Sequence, residues 1–133
     1  MQQKNKQTKN YFAYAIYSVI FTSLLFIMFG SNGWGPSAAN EQAIGEISRW
    51  CERVSGGFFR EPVNTLGNLG FVAAGLFMFY KITQDATNNS NPLFGSFKIA
   101  ILYASASTFL GPGSMAMHGT HTSFGAWLDN VSM

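Results

Sequence analysis

The sequence predicts an all-α, polytopic transmembrane helix bundle, and three observations carry that prediction. Charged residues make up only 11% of the 133 positions and hydrophobic ones 47%, against a globular average of about 25% charged. The stretch YFAYAIYSVIFTSLLFIMF at 11–29 contains no charge, and its length matches the roughly 20 apolar residues a helix needs to cross a bilayer. Two further apolar segments follow, each bounded by polar, turn-forming sequence. Three spans and the start of a fourth are expected.

Taken in order, residues 1–30 read as a polar tail, MQQKNKQTKN with Lys4, Lys6 and Lys9, followed by an N-terminal membrane anchor. A cleaved signal peptide is the rival, since SAAN at 37–40 offers small residues. The apolar run exceeds the usual signal core of roughly 7 to 15 residues, which favours an uncleaved anchor. Residues 31–60 form an extramembrane connector, turn-rich at SNGWGPSAAN and charged and amphipathic at EQAIGEISRWCERVSGGFFR; Arg49, Arg53 and Arg60, all the arginines of the chain, lie here.

Residues 61–133 form the remaining transmembrane unit. PVNTLGNLGFVAAGLFMFY at 62–80 opens with Pro62 at a helix-start position and has small residues at 67, 70, 74 and 75 that allow close helix packing. KITQDATNNSNP at 81–92 reads as a polar loop. FKIAILYASASTFLGPGSMAM at 97–117 reads as a third span, expected to break near Gly111, Pro112 and Gly113, where irregular backbone is tolerated only if protein or a cavity satisfies it. An apolar segment that begins at Phe124 is still running at Met133, as the early part of a fourth helix in an incomplete chain would be. No internal repeat is evident.

With the N-terminal lysines in the cytoplasm, the connector lies outside, the 81–94 loop inside, and His118 to Ser123 outside. The external arginines weaken that charge bias. The placement of connector and histidines on one membrane face depends only on the number of spans between them. A net charge of +2 gives no reason to expect nucleic acid, and the single Cys51 allows no internal disulfide.

Three groups of residues could carry chemistry. Glu61, Asn64, Thr65 and Asn68 fall at i, i+3, i+4 and i+7, on one helix face. That polar stripe either faces a site or makes interhelical hydrogen bonds, worth about 0.6 kcal/mol each in membranes. Ser114 and His118 are one helical turn apart, and Asp129 follows inside AWLDNVSM. An ionisable group in a span costs roughly 2.5–3.5 kcal/mol on insertion scales and faces a partner or a wet cavity. Imidazole is the commonest metal donor, and a nearby carboxylate and hydroxyl suit a metal-bound water. Glu52 and Glu61 flank a glycine-containing loop and could supply oxygens to calcium, or pair with Arg49, Arg53 or Arg60.

The ordered set WCER, GFFREPVNTLGNLGF, Ser114 four before His118, and Leu128-Asp129 just past it resembles the alkaline ceramidase-like family, its bacterial members above all. That family belongs to a wider superfamily that includes the adiponectin and progestin receptors. The resemblance covers about residues 48–133. It implies a seven-helix membrane hydrolase that holds zinc with three histidines and cleaves the amide of ceramide. It further implies His118 as the first zinc ligand, Asp129 as the residue that orients or deprotonates the zinc-bound water, and Ser114 as a residue that positions the site or polarises the scissile carbonyl. The Trp50 carbonyl and the Glu52 and Glu61 carboxylates are implied as calcium ligands. The family's aspartate before the tryptophan is Arg49 here, its asparagine two after the first glutamate is Val54, and the loop between the glutamates is shorter, which weighs against calcium. The other two zinc histidines of the family have no counterpart in this chain. His121 is expected to point away from the site because of the Gly119-Thr120 turn, and the 11–29 anchor is an addition to the family pattern.

The expected function is therefore part of a zinc-dependent membrane amidase acting on a ceramide-like lipid. The alternative is a non-catalytic receptor-like or structural membrane protein of the same superfamily, with a pore or transporter as a third reading.

Overall fold

The structure, a computed structural model, describes residues 2–88 and 97–133, with side chains over 6–85 and 97–133. It is all-helical, with α1 (Gln2–Gly30), α2 (Pro62–Gly67), α3 (Leu69–Asn88), α4 (Phe97–Thr120) and α5 (Ser123–Ser132). Three stretches are long and apolar enough to cross a membrane: Lys6–Gly30, Pro62–Asp85 and Phe97–Thr120.

Each helix departs from the sequence expectation at a boundary, for a local reason. The N-terminal residues read as a tail are already helical, because Gln and Lys are good helix formers and neither Gly nor Pro interrupts the chain before Gly30. The second span is interrupted once, at Asn68. The Asn68 side-chain Nδ2 donates to the carbonyl of Asn64 at 2.9 Å, while the Asn68 backbone N–H reaches the same oxygen at only 3.3 Å. A short amide side chain competing for the i−4 carbonyl is what loosens a helix at such a residue. The loop expected at 81–92 begins later than expected, since α3 continues through Asn88; its remainder lies outside the described residues.

The break expected at Gly111, Pro112 and Gly113 does not occur, and α4 runs through Pro112 to Thr120. The glycines serve packing instead. A Cβ on Gly111 would come within 2.4 Å of Val72 Cγ2, and one on Gly113 within 2.3 Å of Ser132 Oγ. Of the small residues expected to pack α3, Gly75 does so, with Thr108 of α4 against its Cα; Gly67 and Gly70 face open space.

Ala15 of α1, Phe79 and Ile82 of α3 and Ala104 of α4 form one buried cluster. Early α1, late α3 and early α4 thus share one end of the bundle, and successive spans run in opposite directions. Late α1, α2 and the end of α4 form the other end, where Phe26 meets the rings of Trp34 and Phe59. α5 folds back along α4, with the Thr122 hydroxyl accepting from the Gly125 N–H at 3.1 Å as its N-cap. The bundle exterior is apolar: Tyr17 of α1 is 67% exposed and Leu102 of α4 69%. Hydrocarbon is the solvent in which such a surface is unremarkable.

Candidate functional site

The connector folds onto the end of α4 through the backbone. The N–H groups of Glu61, Arg60 and Ala38 donate to the carbonyls of His118, Gly119 and His121 at 3.0, 2.9 and 2.8 Å. These carbonyls belong to the last turn of the helix and the residue after it, where no intrahelical donor is available. Within the connector, Ile47 and Arg53 pair as an isolated antiparallel bridge, closed by Cys51 at a φ of 65°. That turn returns the chain so that Trp50 and Glu52 meet the start of α2.

Glu52 caps α2. Its two carboxylate oxygens accept the N–H groups of Val63 and Asn64 at 2.7 and 2.8 Å, where the positive end of the helix dipole and two unpaired donors favour an anion. Asn64 in turn donates from Nδ2 to Glu61 Oε2 at 2.9 Å and lies 3.5 Å from the Trp50 carbonyl. The carbonyl and the two carboxylates that the resemblance assigns to calcium are thus gathered around Asn64, but their oxygens are engaged by N–H donors. Among the described residues no group of three His, Cys, Asp or Glu side chains is disposed to hold a metal. The ion pairs weighed for Glu52 and Glu61 do not form either. Arg49 pairs with Glu41 at 2.9 Å, Arg53 bonds the Gly45 carbonyl, and Arg60 lies 3.3 Å from the Gly35 carbonyl.

Glu61 is the centre of the site. It precedes the second span and is fully buried. Its Oε2 lies 2.6 Å from His118 Nδ1 and its Oε1 lies 2.9 Å from His121 Nε2. Burial pushes its pKa upward, but hydrogen bonds from Ser48, Asn64, His118 and His121 outweigh that, and the net displacement is below the usual 4.5. The edge of the Trp50 ring closes over both imidazoles, with centroids 4.8 Å from His118 and 6.4 Å from His121.

His121 contradicts the sequence expectation. It does not turn away; its ring is completely buried against Glu61. The cause is the way α4 ends. His121 adopts a φ of 52° and its N–H bonds the Met117 carbonyl at 2.9 Å, the left-handed cap that usually falls to glycine. Histidine is among the non-glycine residues enriched there, and the reversal throws the ring back under the helix. Its Nδ1 faces Glu41 Oε2 at 3.8 Å, and both atoms are buried without a hydrogen-bond partner. Sequence reasoning passed over Glu41 and Ser48 as well, since only the fold of the connector brings them here; the paired spacing of His118 and His121 was the available signal for the second imidazole.

The other expected residues are placed apart. Ser114 lies one turn below His118 on continuous α4. Asp129 lies on α5, whose Leu128 and Ser132 pack at the level of Gly113. Neither side chain hydrogen-bonds to Glu61 or to either imidazole among the described residues. Thr65 bonds the Glu61 carbonyl at 2.6 Å, whereas Asn68 is spent on its own helix. Two apolar cavities of about 280 and 160 Å³ lie between α1, α3 and α4; they share Thr22 and Pro112, and the smaller one reaches Phe58 and Phe59. The larger one is remote from the histidines.

The fold and site together define a helical protein of membrane-spanning type with a buried carboxylate–imidazole cluster at one end of its bundle. No family model matches the chain, and no curated protein or solved structure matches it.

Proposed function

We propose that the chain provides part of a zinc-dependent membrane hydrolase site acting on the amide of ceramide or a related lipid. One observation carries this reading: the 2.6 Å contact of His118 Nδ1 with the buried Glu61 carboxylate. Metal-binding histidines characteristically donate their second ring N–H to a carboxylate, which fixes the ring and raises its basicity. His118 Nε2 has no hydrogen-bond partner among the described residues and is left as a donor atom. Both histidines touch that carboxylate, but only the His118 side chain is partly exposed, and the described residues supply no three-ligand group, so the proposal requires further ligands. Zinc, when bound, would lower the pKa of its water toward about 7. The chain's own groups would hold His118 in place through Glu61, accept a proton at the unpaired Asp129 carboxylate, and receive an alkyl chain in the apolar cavities beside α1.

Lys4, Lys6, Lys9, Lys81 and Lys98 fall at the end of the bundle away from the histidines, and Arg49, Arg53 and Arg60 at the histidine end. The excess of cations favours a cytoplasmic lysine end and an extracytoplasmic site.

The test is zinc content and fatty-acid release from a ceramide panel, measured on the purified full-length protein and on His118→Ala. Loss of both in the variant is expected. Zinc content unchanged by the substitution would contradict the ligand assignment. A non-catalytic, receptor-like or structural role is the second reading, favoured by the lack of a hydrogen bond between Asp129 and the Glu61 cluster among the described residues; metal bound at His118 with no lipid turned over would select it.

A further inference from the structure

Glu61 is one carboxylate serving two imidazoles, and that arrangement dictates where protons lie. An ionised carboxylate offers only lone pairs, so each ring nitrogen touching it, His118 Nδ1 at 2.6 Å and His121 Nε2 at 2.9 Å, carries hydrogen. A neutral His118 is then the Nδ1–H tautomer, opposite to the form free histidine favours in water, with its lone pair on Nε2. The His118 side chain is 13% exposed and that of His121 fully buried, so His118 presents the accessible nitrogen.

We propose that His121 is a positioning residue: by occupying Glu61 Oε1 it holds the carboxylate so that Oε2 fixes the tautomer of His118 and leaves His118 Nε2 free to act. The backbone argues against a merely structural part. A left-handed cap is least costly with glycine, and the N–H bond to Met117 needs no side chain at all. The imidazole at a φ of 52° is retained at some conformational cost, and its one hydrogen bond is the contact with Glu61. Asn64 donates to Oε2 at 2.9 Å and Ser48 also hydrogen-bonds this carboxylate, while His121 supplies the imidazole contact at Oε1. The role rests on His118 being the zinc-ligating histidine of the proposed function, whereas the proton arrangement stands without it.

Nitrogen-15 spectra of the full-length, histidine-labelled protein in detergent micelles, freed of metal with EDTA near neutral pH, read both tautomers directly. The wild type should show His118 as Nδ1–H and His121 protonated at Nε2. His121→Gln retains a donor toward Oε1 and should preserve the His118 signal; His121→Phe fills the space without a donor and should convert His118 largely to Nε2–H. A wild-type His118 protonated at Nε2, or a His118 signal unmoved in folded His121→Phe, overturns the proposal. Should that variant not fold, the wild-type spectrum decides: an unprotonated His121 Nε2 overturns the proposal, and a protonated, slowly exchanging one supports it. Nδ1–H at His118 without fatty-acid release from ceramide would sink the hydrolase and leave the proton arrangement; release with Nε2–H would do the reverse.

Discussion

At the lysine end of the bundle, Ala15, Phe79, Ile82 and Ala104 meet in a cluster without a polar contact among them, ringed by Tyr11, Phe12, Leu76 and Phe97. At the histidine end the buried groups include Glu61, His121, Thr65 and Ser48, each in a hydrogen bond or against an ionised neighbour. Dispersion and shape hold the first region, since lipid removes most of the hydrophobic gain from helix association. Directional bonds hold the second, and a buried polar network is costly when one member is lost. The apolar end should therefore absorb small substitutions gradually, and the polar end should fail at single atoms.

The sharpest way to break that contrast is Glu61→Ala. It strands two imidazole N–H groups and the Asn64 amide in a buried site, at about 1–3 kcal/mol for each donor left unsatisfied, read by reversible unfolding in mixed micelles. A loss under about 1 kcal/mol would show that the cluster is wet and replaceable.

Acid should reproduce part of that loss reversibly. The Glu61 pKa lies below its usual 4.5 in the folded chain, so the unfolded chain binds the proton more tightly and the stabilisation is fully present above the unfolded value. It is lost as pH falls through the folded value. The melting temperature should drop below roughly pH 4.5 in the wild type and much less in Glu61→Gln, whose own cost is about 1.5–3 kcal/mol for the charge-assisted bonds removed. Parallel curves for the two proteins would assign the acid transition to another group.

At the interface between the two regions, Gly75→Leu should cost about 1–3 kcal/mol by overpacking, since a Cβ there would lie 2.2 Å from Thr108 Oγ1 and 2.6 Å from its backbone nitrogen. Gly70→Ala, with nothing within 4 Å, is the matched control and should change stability little. The smallest loss outside that control belongs to Thr122→Ala, which removes the N-cap of α5 and is expected to cost about 1 kcal/mol, read as fraying of α5 by circular dichroism.

Much of the helical layout was legible in the sequence because hydropathy and length report directly on spans. The uncharged run before Gly30 and the apolar segments at 62–80 and 97–117 all became helix. The errors arose where side chains compete with backbone. Asn68 took the carbonyl that its own N–H needed, and Gly111-Pro112-Gly113 looked like a breaker because close approach to Val72 and Ser132 is invisible in one dimension. The polar stripe at Glu61, Asn64 and Thr65 was legible from helical spacing. Its partner was not: Glu61 meets His118 across the 57 residues that hold α2, α3 and most of α4, and the connector before it is seated by backbone bonds to the end of α4. His121 was misread because a glycine-threonine turn was expected to carry the ring outward, whereas a left-handed residue reverses it. Ser114 and Asp129 keep the spacing that singled them out, without a hydrogen bond to the cluster.

The three connector N–H groups spent on the end of α4 have a consequence for time rather than geometry. Amides in irregular segments ordinarily trade hydrogen with solvent within local openings that cost little. Those of Ala38, Arg60 and Glu61 can open only if the cap of α4 is uncovered with them. In deuterated buffer these three loop amides should keep their protium about as long as the helix interior does, and the connector's clock is then that of the bundle.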